Sequence, residues 1–166
     1  MLWLLLAALQ SQQVLALPSD RQQPIHVSSD SAERDETKGI TTYNGDVEMV
    51  QGTLKILASR VVIRSEGNRI SSIVATGKPA QYQQIPGENR QLIIARGERI
   101  EYSIKAEKLQ LSKNASLQQS DGTIMTGDNI VYDIKAAIVR AGSSDKSTER
   151  IYMVIPPKPE DEAPSQ

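Results

Sequence analysis

The chain has no cysteine and no phenylalanine, and only one tryptophan and one histidine. Without cysteine there is no disulfide framework, no thiolate metal site and no cysteine nucleophile. The histidine, His26, has no second ligand candidate close by, so its simplest role is surface or packing. It supports neither a metal centre nor a Ser-His-Asp arrangement, and no glycine-rich phosphate loop opens a helix. Net charge is −1 with no basic stripe, so no field draws the chain to nucleic acid. Trp3 lies in the leader, which leaves Tyr43, Tyr82, Tyr102, Tyr132 and Tyr152 as the only rings below it. Closed cores normally use large rings as fillers. Their scarcity fits a thin sheet sandwich, an interior filled by something else, or an ordinary aliphatic core.

The front of the chain reads as a secretory leader over residues 1–16. Leu2 to Leu9 is apolar, Gln10 to Gln13 is polar, and Val14-Leu15-Ala16 offers small residues for a peptidase. The apolar run is too short for a bilayer core that needs about 20 residues. No lysine or arginine follows Met1, which departs from the usual leader. Export with cleavage near Ala16 is expected, then a loose lead-in over residues 17–23.

What remains is dominated by a period of two. In NGDVEMVQGTLKILASRVVI, Val47 and Met49 alternate with polar residues, as do Leu54 and Ile56, then Val61 and Ile63 after a one-residue slip at Ala58. This is the pattern of strands with one wet and one apolar face. Asn44-Gly45, Thr76-Gly77-Lys78-Pro79 and Lys113-Asn114 read as turns between strands. The stretch 24–28 (PIHVS) reads as a first strand, 40–43 as another, and 151–155 as the last. The charged stretch 29–38 reads as a solvated turn or short helical piece covering an open edge. Residues 156–166, Pro-rich and acidic, read as a disordered tail.

A repeat is also present. Tyr102-Ser-Ile-Lys-Ala106 matches Tyr132-Asp-Ile-Lys-Ala136 at a spacing of 30, and Gly97-Glu-Arg-Ile100 matches Gly127-Asp-Asn-Ile130. Both of the latter resemble Ala58-Ser-Arg-Val61. A bulge or sheet corner at each small residue would produce this break in alternation. With no helical period below the leader, the expected fold is all-β, elongated and quasi-repetitive. The alternation assigns Val47, Met49, Leu54, Ile56, Val61, Ile63, Ile100, Tyr102, Ile104, Leu109, Leu111, Leu117, Ile130, Tyr132 and Ile134 to the apolar face. Ile25, His26 and Val27 at one end, and Ile151, Tyr152, Met153 and Val154 at the other, are uncharged edge strands open to a further strand. Carboxylates such as Asp46, Glu48, Glu98, Glu101, Asp128 and Asp133 alternate with apolar residues and read as wet faces rather than a catalytic pair.

From residue 39 to 80, GDVEMVQGTLKILASRVVI followed by GKPAQYQQ resembles the OstA-like family of periplasmic lipopolysaccharide transport proteins. The resemblance continues through Gly97-Glu-Arg-Ile-Glu-Tyr102, LQLSKNASLQQ at 109–119 and 127–132. It covers residues 24–156, and GKPA and N-A-x-L-Q-Q are its more specific elements. It implies a half-open, V-shaped antiparallel β-jelly roll over residues 24–155, with no cofactor and no catalysis, whose interior takes the acyl chains of lipid A. It also implies head-to-tail stacking on itself, on an inner-membrane-anchored partner of the same fold (LptC-like), and on the N-terminal domain of the outer-membrane insertion protein (LptD-like). The anchored partner itself, a structural β-repeat or adhesin-like protein with a filled core, and a periplasmic hydrolase are the alternatives.

Overall fold

A computed structural model describes residues 19–142 and 150–157; the expected leader (1–16) and the tail from residue 158 lie outside the described residues. The chain forms β1 (His26–Ser28), β2 (Ser31–Asp35), β3 (Ile40–Gln51), β4 (Leu54–Glu66) and β5 (Arg69–Gln84). There follow β6 (Ile93–Ser103), β7 (Lys108–Gln119), β8 (Ile124–Asp133), β9 (Ile138–Gly142) and β10 (Tyr152–Val154). All pairings are antiparallel, and β3 to β8 run as a meander of consecutive neighbours.

Each long strand is broken near its middle, and these breaks line up; β4 and β5 carry one further shift, between Arg64 and Ser65, beside their hairpin. Register shifts fall between Asn44 and Val47 in β3, Leu57 and Arg60 in β4, and Thr76 and Ala80 in β5. The row continues between Arg96 and Arg99 in β6, then between Ser112 and Ala115 in β7, opposite Gly127 and Asn129 in β8. An extra residue bends a strand and increases its local twist. Six bends in one row fold the sheet along a line, giving the half-open jelly roll. One wing contains 40–44, 60–66, 69–76, 99–103, 108–112 and 129–133, flanked by β2 and β9. The other contains 47–51, 54–58, 80–84, 93–97, 115–119 and 124–127, flanked by β1 and β10.

This row corrects the expected turns. Asn44-Gly45, Thr76 to Pro79 and Lys113-Asn114 lie inside β3, β5 and β7, and 40–43 is simply the start of β3. Gly45 and Asp46 have φ of 80° and 38°, Lys113 and Asn114 of 62° and 50°, and Lys78-Pro79 is cis. Residues that tolerate positive φ build a bulge as readily as a hairpin. The real hairpins turn at Gly39, Gly52, Gly67 and Gly122, and after Tyr102 and Tyr132. The repeat thus encodes a hairpin as well as a bend: Glu107 (φ 52°) and Ala137 (φ 57°) occupy equivalent turn positions.

The charged stretch 29–38 is also corrected. Its centre is β2, which pairs with β3 from Asn44 to Ile40. Ser31, Ala32, Glu33 and Arg34 are all exposed, as suits an edge strand whose charges discourage further pairing. Residues 20–22, expected within a loose lead-in, form a 3₁₀ turn, Asp20–Gln22.

Candidate functional site

The facing surfaces of the two wings are apolar except at the buried Gln84. Of the residues assigned from alternation, Val47 and Met49 (β3), Leu54, Ile56, Val61 and Ile63 (β4), and Ile100 and Tyr102 (β6) are buried. So are Leu109, Leu111 and Leu117 (β7), Ile130 and Tyr132 (β8), and Ile134 just beyond it, while Ile104, in the turn after β6, is half-buried against them. Fourteen of the fifteen belong to one buried cluster, and Ile104 packs against it. The alternation missed Ile73, Ala75, Ala80 and Tyr82 on β5, Ile93 and Ala95 on β6, and Ala115 on β7. Ile73-x-Ala75 and Tyr82-x-Gln84 do alternate, but reading Gly77 to Pro79 as a turn hid that they share one strand.

The wings meet at Tyr82 and Tyr102, whose rings contact edge to face. Burial pushes the Tyr82 hydroxyl well above its ordinary pKa. That hydroxyl donates to Gln84 Oε1, which keeps the buried polar group satisfied. Burial also raises the Tyr102 hydroxyl, and the nearby Arg21 guanidinium pulls it part-way back.

At the β1–β2 end the space between the wings opens as a cavity of about 490 Å³. Ile25, Val27, Tyr43, Ile63 and Ile70 line it on the apolar side, with Arg34 and Glu36 at its rim. The expected edge residues divide here: Ile25 and Val27 pack against the core, whereas His26 faces out. At the other end β10 lies along β8, Tyr152 to Val154 opposite Thr126 to Ile124. Ile151 to Ile155 are all exposed, at 45–69% of their surface. Each end therefore carries two short strands, one per wing: β1 and β2, then β10 and β9. The charges of β2 show that only half of the first edge is the uncharged strand expected.

No group of three or more His, Cys, Asp or Glu residues able to hold a metal occurs among the described residues. The arrangement is a jelly roll whose sheet does not close on itself, with a continuous apolar inner face packed between two wings. The family model described as LptA/(LptD N-terminal domain) LPS transport protein matches residues 26–138. The chain is 40% identical to the lipopolysaccharide export system protein LptH of Pseudomonas aeruginosa, over 93% of this chain and 91% of that protein. It is 33% identical to the lipopolysaccharide export system protein LptA of Escherichia coli K12, over 88% of this chain and 78% of that protein. The crystal structure of Pseudomonas aeruginosa LptH, a periplasmic component of the lipopolysaccharide transport device, superposes with a TM-score of 0.76 at 37% identity. The match covers 84% of this chain and all of that one. The chain belongs to the LptA/LptD N-terminal-domain family of lipopolysaccharide transport proteins.

Proposed function

We propose that this chain is a non-catalytic carrier that conducts lipopolysaccharide across the periplasm, with lipid A acyl chains held between its two wings. One observation carries the reading: the apolar inner face is continuous from the β1–β2 end to the β8–β10 end, with Gln84 at the lip as the one buried polar residue among the described residues. Burial of apolar surface supplies the attraction and is non-directional, which suits a cargo that must move on. The family and the named relatives support lipopolysaccharide as the cargo.

The edges supply the route. β10 with its exposed neighbours Ile151 and Ile155, and β1 at the opposite end, are different surfaces, so their pairing is heterologous and builds an open head-to-tail row. The same strands would meet an LptC-like partner on one side and an LptD-like domain on the other. Cleavage near Ala16 would free the chain into the periplasm.

The test is mass spectrometry of lipids extracted from protein purified out of the periplasm of its own host. Stoichiometric lipid A species support the carrier. A lipid-free protein that also takes up no purified lipopolysaccharide would favour a structural repeat with a filled core.

A further inference from the structure

The V has an apex, the row of bends, and a mouth, where the strands end in turns. The mouth is bridged by side chains of the 3₁₀ turn and of the loop between β5 and β6. Asp20 accepts from the Thr53 backbone N–H (2.7 Å), the Thr53 hydroxyl (2.7 Å) and Gln84 Nε2 (2.7 Å), all on the lip of the β1–β10 wing. The next residue, Arg21, donates to Ile104 O (3.3 Å) and to Glu107 Oε1 (2.8 Å) on the opposite lip. Further along, Arg90, from the loop between β5 and β6, donates to Ile134 O (2.7 Å) and Lys135 O (3.2 Å) across the same gap.

We propose that Asp20-Arg21 and Arg90 form a two-point latch that holds the mouth shut in the empty carrier and releases to admit lipid. The inference rests on the carrier reading. Two further observations support it. Behind the latch, Tyr82, Leu54, Ile56 and Ile100 have at most 2% of their surface exposed, so the wings are packed on one another and no acyl chain fits until they part. An amphiphile with its chains inside keeps its charged head in water, and the mouth is the side along which that head can travel. The latch crosses this path. It is also weak enough to release: the Arg21 and Glu107 side chains are 50% and 31% exposed, and exposed pairs of this kind hold little free energy. Asp20, by contrast, is anchored through Gln84 to the buried Tyr82 hydroxyl, so the strap swings from a fixed point.

The test uses the absence of native cysteine. Arg21→Cys and Glu107→Cys are joined by a short bis-methanethiosulfonate linker that a reductant cleaves, and uptake of purified lipopolysaccharide is followed alongside the parent. Locked protein should load at least about tenfold more slowly than the same protein after reduction. Independently, Arg21→Gln with Arg90→Gln should load about three- to tenfold faster than the parent, the range expected from losing weak exposed contacts. Circular dichroism of both proteins confirms the fold. If locked and reduced protein load at one rate while the parent binds lipid, the latch is wrong and the carrier stands. If the parent binds no lipid, the carrier reading fails and the latch with it.

Discussion

Tyr82 and Tyr102 belong to opposite wings, and their rings meet with centroids 5.7 Å apart at 70°. In a chain without phenylalanine this pair is the one aromatic contact between the wings among the described residues. Removing the Tyr82 ring should therefore act as a large core deletion. Tyr82→Ala is expected to cost about 3–5 kcal/mol, the usual range for losing a buried ring. Tyr82→Phe keeps the ring but leaves Gln84 Oε1 without its donor, at about 1–3 kcal/mol. Urea unfolding of both variants measures the order; equal losses would show that the hydroxyl, not the ring, joins the wings.

Gly39 and Gly67 both stand at positive φ, 63° and 59°. They differ in surroundings: a Cβ at Gly39 would lie 2.5 Å from the Ser65 backbone oxygen, whereas one at Gly67 meets nothing within 4 Å. Gly67→Ala should cost about 1 kcal/mol from backbone conformation alone, and Gly39→Ala clearly more, about 2 kcal/mol or above. Thermal melts of the two variants give the comparison, and a Gly39→Ala protein as stable as Gly67→Ala would refute the close approach.

Asp35 ends β2 and accepts from the Thr37 hydroxyl (2.6 Å) and the Lys38 backbone N–H (3.0 Å). The Thr37 hydroxyl first, then Lys38, lower its carboxyl from 3.8 to about 2. A depressed carboxyl stabilises the fold above its unfolded pKa, so this contribution is full above about pH 4 and is lost as pH falls towards 2. Urea midpoints of the parent and Asp35→Asn should differ at neutral pH and converge as pH drops through that window. A difference unchanged across the window would contradict the assignment.

Among the described residues the strand Tyr152–Val154 pairs on one side alone, with β8, and the proposed head-to-tail row uses its other side. Backbone donors alternate along a strand, so of Tyr152→Pro and Met153→Pro one removes a donor on that free side. Light scattering over a concentration series should show the parent growing in mass and at least one folded variant staying monomeric. A parent that stays monomeric, and binds neither membrane partner through this strand, would remove the head-to-tail row.

Much of this was legible because burial imposes a period of two. Every inner-face residue named from alternation lies in the single core cluster or, for Ile104, packs against it, since a register slip would have turned a whole strand outward. The one-residue slips at Ala58, Gly97 and Gly127 correctly announced bends. The bends at Gly45, Gly77 and Asn114 were misread because Gly, Pro and Asn serve turns and bulges alike; only the long-range pairing decides which. That misreading also concealed the inner face of β5. The strand β2 was invisible for a different reason: an exposed edge strand has no apolar face and so no period to detect. The strap at Asp20 and Arg21 depends on contacts 33 and 86 residues away, which no local pattern carries.

The central claim, that lipid occupies the space between the wings, is tested most directly by site-specific photo-crosslinking during transport. Ile56 and Ile130 are buried on the inner face, at 1% and 0% exposure, whereas Lys55 and Asp133 precede or follow inward residues and point outward. Their opposite orientation follows from the alternation of a strand. A photoreactive residue at Ile56 or Ile130 should capture lipopolysaccharide, and one at Lys55 or Asp133 should not, with each variant shown to be folded. Equal capture from both faces, or capture from the outer face alone, would contradict the account.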